Sequence, residues 1–431
     1  MHPAPRVSRF APVAWILLDW AASAFSTVLI TLVVAYVEKV VFADRPWGVE
    51  AGVVWAWTLA AAMLVSAVAA PWLAAWADRT RGHQRAVVMS VVAGSAALLA
   101  LGAAPPAMRL AVVAAIVMAS VGFDMAAIFT GSLLAKIAEG KGADRLSAAG
   151  FAAGYAGGAI ALVAATAVVA MHDSLGLTTT GGLRAAFALT GLWWLGFSLP
   201  AAFARFGDGA GEQHAASSAR EIFEFARNLA RPPVQDGHDG RPLAAVLLGA
   251  VLVLGAVQTA IAQFSSVALE EFRLDAQALV RLVLLVQAVA LPGALAVGWL
   301  SARAGRSVAI AVCLAGWVAV LVLAWFVHTV PQLYALAVLL ALVLGGIQSV
   351  IRATVADLAP EGRAGATFGV LQVGTKFAGF AASLAFGGIY QLTGSPRAGL
   401  TLLVVQILAG WWALRGVQAS MRSTRPTTRM R

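Results

Sequence analysis

A single cysteine, Cys313, occurs in 431 residues, inside an apolar run. One thiol excludes an internal disulfide and any cysteine-built metal site. Histidine is scarce too. The six are His2, His83, His172, His214, His238 and His328, and none pairs at a metal-ligand spacing. No metal or cofactor is expected. A membrane-embedded enzyme, which would need clustered His, Asp or Glu, is disfavoured. Charge is the third shortage. Asp, Glu, Lys and Arg make up 12% of the chain, against about 25% in soluble domains. Hydrophobic residues fill 61%, against about 45–50%, more than a soluble core could bury.

What the chain has instead is long apolar runs. Six fall at 13–36, 51–75, 86–104, 110–135, 147–171 and 185–204, and six more at 243–268, 279–301, 307–327, 332–358, 367–390 and 398–417. A helix needs about 20 apolar residues to cross a bilayer. The runs predict an all-α integral membrane protein with twelve transmembrane helices. The first run exceeds the roughly 7–15 residues of a signal-peptide core and is expected to stay as a span. The polar stretch 205–242 separates a six-helix domain at 1–204 from another at 243–418, and a basic tail follows at 419–431. In the linker, Ser218 and Glu221 stand at capping-box spacing. Ile222, Phe225, Ala226 and Leu229 then share one face. The alternatives are an amphipathic helix on the membrane surface and a solvated connector with a helical turn.

The net charge of +10 raises nucleic-acid binding as an idea, but its distribution points elsewhere. With the N-terminus inside and the spans alternating, 21 of the 30 Lys and Arg fall on inner segments and 7 on outer ones, while Arg352 and Lys376 lie within spans. Such a bias orients a membrane protein. It places both termini and the linker in the cytoplasm and leaves no nucleic-acid partner. Trp15, Trp47, Trp72, Trp193, Trp411 and Trp412 sit near span ends, as in an interfacial aromatic belt. Gly150, Gly154, Gly157 and Gly158 of the fifth span, and Gly369, Gly374 and Gly379 of the eleventh, fit close helix packing.

Two short polar segments repeat each other. Residues 76–85 carry Asp78, Arg79, Arg81 and Arg85, and residues 298–306 carry Gly298, Arg303 and Arg306. Ala74 matches Gly298 and Asp78 matches Ala302, both 224 positions apart. The chain therefore reads as one half written twice, which points to a transporter.

The informative residues are those a membrane does not favour. Asp19, Asp124, Arg352 and Lys376 lie within spans, where a central charge costs about 2.5–3.5 kcal/mol on insertion scales. Each is expected to face a cavity or a partner. Gln258, Gln263 and Gln348 add uncharged hydrogen-bonding groups. The spans carrying these residues are expected to surround a pathway, with spans three, six, nine and twelve toward lipid.

The segment Ala74 to Arg85 and its echo Gly298 to Arg306 resemble the loop signature of the major facilitator superfamily. Five further stretches resemble its vacuole-effluxer-like branch of autophagy-related amino-acid effluxers: Asp19 to Phe25, Gly150 to Gly158, Gly345 to Ser349, Lys376-Phe377 and Gln391 to Ser395. The resemblance implies two pseudo-symmetric six-helix domains, alternating access around a central site, and export of small neutral amino acids in the fungal members, with poorly defined substrates in bacterial ones. It also implies that Asp78 and Arg79 hold an inner gate against span eleven. Two departures stand out: Ala74 replaces the first glycine of the loop, and Ala302 replaces the acidic residue of the second copy. Tyr155 follows Gly154 where proton-coupled drug antiporters have proline.

The expectation is a secondary transporter exporting a small metabolite across a bacterial inner membrane as a monomer, linked to protons. Asp19, Asp124, Lys376, Arg352, Gln258 and Gln348 line its cavity or couple it. Asp78, Arg79, Arg85, Gly298, Arg303 and Arg306 form the gate. Efflux of a drug or lipid-like compound, and a non-transporting sensor on the same fold, are the alternatives.

Overall fold

The structure is a computed structural model. It describes residues 8–423 except 81, 139, 207–223, 225–226, 228–240 and 359–363; the side chains of some helical residues, among them Asp78, Arg79 and Asp357, also fall outside the description. The amphipathic stretch of the linker and the end of the basic tail lie outside the described residues.

All regular structure among the described residues is helical. Twelve long helices follow one another: α1 (Ala11–Val41), α2 (Ala51–Arg79), α3 (His83–Ala103), α4 (Arg109–Ile137), α5 (Gly140–Ala170), α6 (Thr179–Phe203), α7 (Arg241–Glu271), α8 (Ala276–Ala304), α9 (Arg306–Leu323), α10 (Val330–Leu358), α11 (Ala364–Thr393) and α12 (Pro396–Ser423). Apolar side chains carry these segments into lipid, and the helix satisfies every backbone group internally, which lipid cannot do. Eleven of the twelve have the length and hydropathy of a span; α11 falls short. Gln372, Lys376 and six glycines take positions that apolar side chains fill elsewhere.

Helix α1 departs from the sequence reading. It runs to Val41 rather than ending near Tyr36, because two π-helical turns, Leu29–Val33 and Val37–Val41, continue it. Thr31 sits in the first of them and donates to the Thr27 carbonyl at 2.7 Å. Such turns occur mostly as single insertions, frequently at functional sites. The extension carries Glu38 into the bundle, where it is buried.

The helices pack as two six-helix halves with the same pattern. In the first half α1 packs on α5 and α6, α3 on α4 and α6, and α2 on α4. In the second, α7 packs on α11 and α12, α9 on α10 and α12, and α8 on α10. Every pair is matched six helices later, so the repeat is structural as well as sequential. Glycine sets the α1–α5 distance: a Cβ at Gly150 would lie 2.5 Å from Asp19 Oδ2, and one at Gly157 would lie 2.5 Å from the Trp20 carbonyl. Between halves the main contact is α2 with α11, joined by α5 with α8 and α2 with α7.

The start of α1 and the end of α12 lie at one end of the bundle, the proximal end. The connections at 42–50, 272–275 and 394–395 lie at the distal end. Trp72 and Trp412 are exposed, at 70% and 80%, as interfacial residues are. Trp15 is not. It is buried, and its Nε1 donates to the Thr130 carbonyl at 2.8 Å, locking α1 to α4.

Candidate functional site

Asp124 stands near the middle of α4, Lys376 near the middle of α11 and Gln258 on α7, between α4 and α11 in chain order. The bundle brings them together. Lys376 Nζ donates to Asp124 Oδ1 at 2.6 Å and to Gln258 Oε1 at 3.4 Å. The side chains of Lys376 and Asp124 are 19% and 14% exposed. Asp124 belongs to the first half, and Lys376 and Gln258 to the second, so the ion pair bridges the halves at mid-depth. A short charge-assisted bond of this kind is about twice as strong as a neutral one, and it offsets the cost of placing two charges inside a membrane.

Asp19 occupies a separate place. It sits on α1 against Gly150, and the opposing charge that acts on it is Arg352 of α10, again from the other half. Gln348 stands half-buried one turn before Arg352. Gln263 is fully buried on α7, and neither end of its amide has a partner within the protein.

The repeated segments close the proximal ends of α2 and α8. Asp78 and Arg79 are in the last turn of α2, and their side chains lie outside the described residues. Arg85 is exposed. Arg303 lies over the Trp299 ring, 5.2 Å from its centroid. Arg306 opens α9 after Gly305, whose φ of +91° suits glycine. A Cβ at Gly298 would meet nothing within 4 Å, so no close approach requires glycine there.

The distal end holds residues that sequence reasoning passed over. Lys39 of α1 pairs with Glu270 of α7 at 3.0 Å. The Glu50 backbone N–H donates to Gln391 Oε1 at 3.1 Å, and Gln391 Nε2 donates to the Gly48 carbonyl at 3.2 Å. The indoles of Trp55 and Trp57 donate to the carbonyls of Ala262 and Leu384. All five contacts cross between the halves. Glu38 lies among them. The only sequence signal for it was an acidic residue directly after an apolar run.

Residues 38–425 match the family model described as vacuole effluxer Atg22 like. The chain belongs to that family. This effluxer-family chain is 25% identical over 405 residues to the uncharacterized MFS-type transporter YxiO of Bacillus subtilis strain 168, covering 92% of each chain. Its fold matches a D-xylose-proton symporter with a TM-score of 0.69 at 13% identity, over 98% of this chain and 99% of that one. It also matches a bacterial homologue of the human lysosomal transporter Spinster, in an inward-facing and unoccupied conformation, with a TM-score of 0.67 at 13% identity, over 98% and 100%. The chain is thus a multi-pass membrane protein of a major-facilitator transporter family, with the twelve-helix, two-half fold expected from its sequence. Among the described residues no group of His, Cys, Asp and Glu is placed to hold a metal ion.

Proposed function

We propose that this chain is a secondary active transporter that exports a small neutral amino acid across a bacterial inner membrane, by alternating access and in exchange for protons. The observation that carries the reading is the Asp124–Lys376 pair, 2.6 Å apart and shared between the halves. A zwitterionic amino acid brings one charge of each sign. It can insert with its ammonium on Asp124 and its carboxylate on Lys376, replacing the internal pair without leaving a charge unpaired. A proton on Asp124 competes with the substrate ammonium. Proton and substrate then occupy the site in turn, which is the logic of exchange, and the effluxer description of the family agrees with export.

Gln258 holds the Lys376 ammonium in place when the pair opens. Asp19, Arg352 and Gln348 line the pathway on the proximal side. Asp78, Arg79, Arg85, Gly298, Arg303 and Arg306 form the proximal gate, on the cytoplasmic face with both termini and the linker. The halves, 1–204 and 243–418, rock as units about the central pair, and the protein works as a monomer in the bilayer.

The test is L-leucine flux in liposomes under an imposed pH gradient. Asp124→Asn keeps the shape of the side chain and removes its titration. Gradient-driven accumulation should be lost while exchange at equal concentrations persists. A variant that accumulates at the wild-type rate removes Asp124 as proton carrier. Parallel loss of both activities favours a uniporter in which the pair is a static tie between the halves.

A further inference from the structure

Glu38 is unlike the other charged groups of the distal end. It is 2% exposed, in the second π-helical turn of α1, and neither of its oxygens makes a hydrogen bond of ordinary geometry within the protein. Its neighbours come from each helix of the distal seam. From α7 come the Ser266 hydroxyl and the Glu270 carboxylate. From α2 comes Gly52, where a Cβ would lie 3.4 Å from Glu38 Oε1, 2.7 Å from Ser266 Oγ and 2.7 Å from the Tyr390 ring of α11. The bare backbone leaves room for Ser266 and Tyr390, which stand beside the carboxylate.

The described cations around it are already engaged. Lys39 pairs with Glu270, Arg45 with Glu50, Arg397 with Glu271, and Arg109 of α4 with Asp44. Arg184 of α6 bears on Tyr36, below Glu38 on α1, and it donates to the carbonyls of Gly102 and Ala103. Glu38 and Glu270 are therefore neighbours with one close ammonium, that of Lys39, which is bonded to Glu270. Like charges held together favour sharing a proton, and the buried member of this pair is Glu38.

We propose that Glu38 and Glu270 form a proton-binding site of the distal end, separate from Asp124. In the closed state Glu38 carries the proton and donates its O–H to Glu270, which keeps its charge and its bond to Lys39. The group of three then has no net charge. When the seam between α1, α2, α7 and α11 opens, water reaches Glu38. It then ionises as an ordinary glutamic acid and releases the proton to the distal solution. Closing takes one proton up, and no other bond changes. Acid on the distal side holds the gate shut and alkali releases it, so the distal pH sets when the transporter can release its substrate. The proposal rests on the alternating-access reading, since the site matters only if this end opens.

The test uses the full chain with Cys313→Ala, spin-labelled at Ala107→Cys and Leu392→Cys, two exposed distal positions on opposite halves. Pulsed electron resonance then reads the distance between them across a pH series. One linked proton changes the open-to-closed ratio by up to about tenfold per pH unit. Wild type should open as pH rises. Glu38→Gln should remove that response, and Glu38→Asp, which can still titrate, should keep it. A wild-type distance that ignores pH, or a Glu38→Gln variant with the wild-type slope, overturns the proposal. Added L-leucine separates the two failures. A distance that moves with L-leucine but not with pH overturns the proton site alone; a distance that moves with neither overturns the alternating-access reading with it.

Discussion

At the distal end described polar side chains reach across to the opposite half; at the proximal end Gln84, Thr80 and Arg303 make their contacts within their own. Lys39, Gln391, Trp55 and Trp57 each find a partner across the seam. Gln84, at the proximal start of α3, donates to the carbonyls of Ala201, Ala202 and Ala204 at the end of α6, all in the first half. Thr80 bonds back to Trp76, and Arg303 covers Trp299 of its own helix. The cross-half bonds show what shuts the distal end. A seam sealed by cross-half bonds must break them to open. Bonds inside a half hold that half rigid and survive the motion. The central Asp124–Lys376 pair belongs to both behaviours, because in the proposed cycle it lies where the halves pivot.

The largest expected effect is at that centre. Lys376→Met leaves Asp124 as an uncompensated charge, at a cost of about 3–5 kcal/mol. Thermal unfolding in detergent should fall sharply. Adding Asp124→Asn should restore most of the loss without restoring gradient-driven transport. A Lys376→Met protein as stable as wild type would mean that the pair carries little of the bundle.

Wedging the distal seam comes next. Gly52→Val places methyl groups where Ser266 and Tyr390 already stand. Overpacking costs roughly 1–3 kcal/mol, and here the closed state bears it. Thiol labelling of Ser383→Cys, a fully buried seam position, should rise several-fold in the Cys313→Ala background. Unchanged labelling would argue that the seam does not open at this level.

Single hydrogen bonds should sort by end. Trp57→Phe removes the 3.2 Å bond to the Leu384 carbonyl, worth about 0.5–1.5 kcal/mol, and should raise distal labelling modestly. Gln84→Ala should lower thermal stability by a similar amount and leave distal labelling unchanged. If Gln84→Ala opened the distal end, the division between the ends would fail. The smallest effect belongs to Gly298→Ala. Its Cβ meets open space, so stability should stay within about 0.5 kcal/mol of wild type, despite the place of Gly298 in the repeated segment.

The spans were legible because lipid imposes one rule on every crossing segment, and eleven of the twelve helices obey it outright. Helix α11 was read as a span although its hydropathy is the weakest match, because an apolar run survives around Lys376. The ionisable residues of the core were legible one by one: Asp124 and Lys376 each stand out against their apolar neighbours. Their pairing was not, since 252 positions separate them and only the meeting of the two halves brings them together. Asp19 was expected to share the cavity with them, and the structure sets it beside Gly150 with Arg352 as its opposing charge. Glu38 was missed for a local reason. An acidic residue just past an apolar run reads as the end of a helix, and nothing in composition signals two π-helical turns that carry the helix on. Gly298 was read as a gate residue from the repeated motif, and the helix surface there has open space where its Cβ would be.

The central claim is that the distal contact breaks in every transport cycle. A reversible cross-link tests it directly. Glu50 and Gln391 already meet across the seam at 3.1 Å; Glu50→Cys with Gln391→Cys, in a Cys313→Ala background, can be joined by a short disulfide-containing linker and released by reductant. L-leucine flux in liposomes should stop when the pair is joined and return on reduction, while proximal labelling of Arg85→Cys continues throughout. Flux at the unlinked rate with the pair fully joined would contradict the claim.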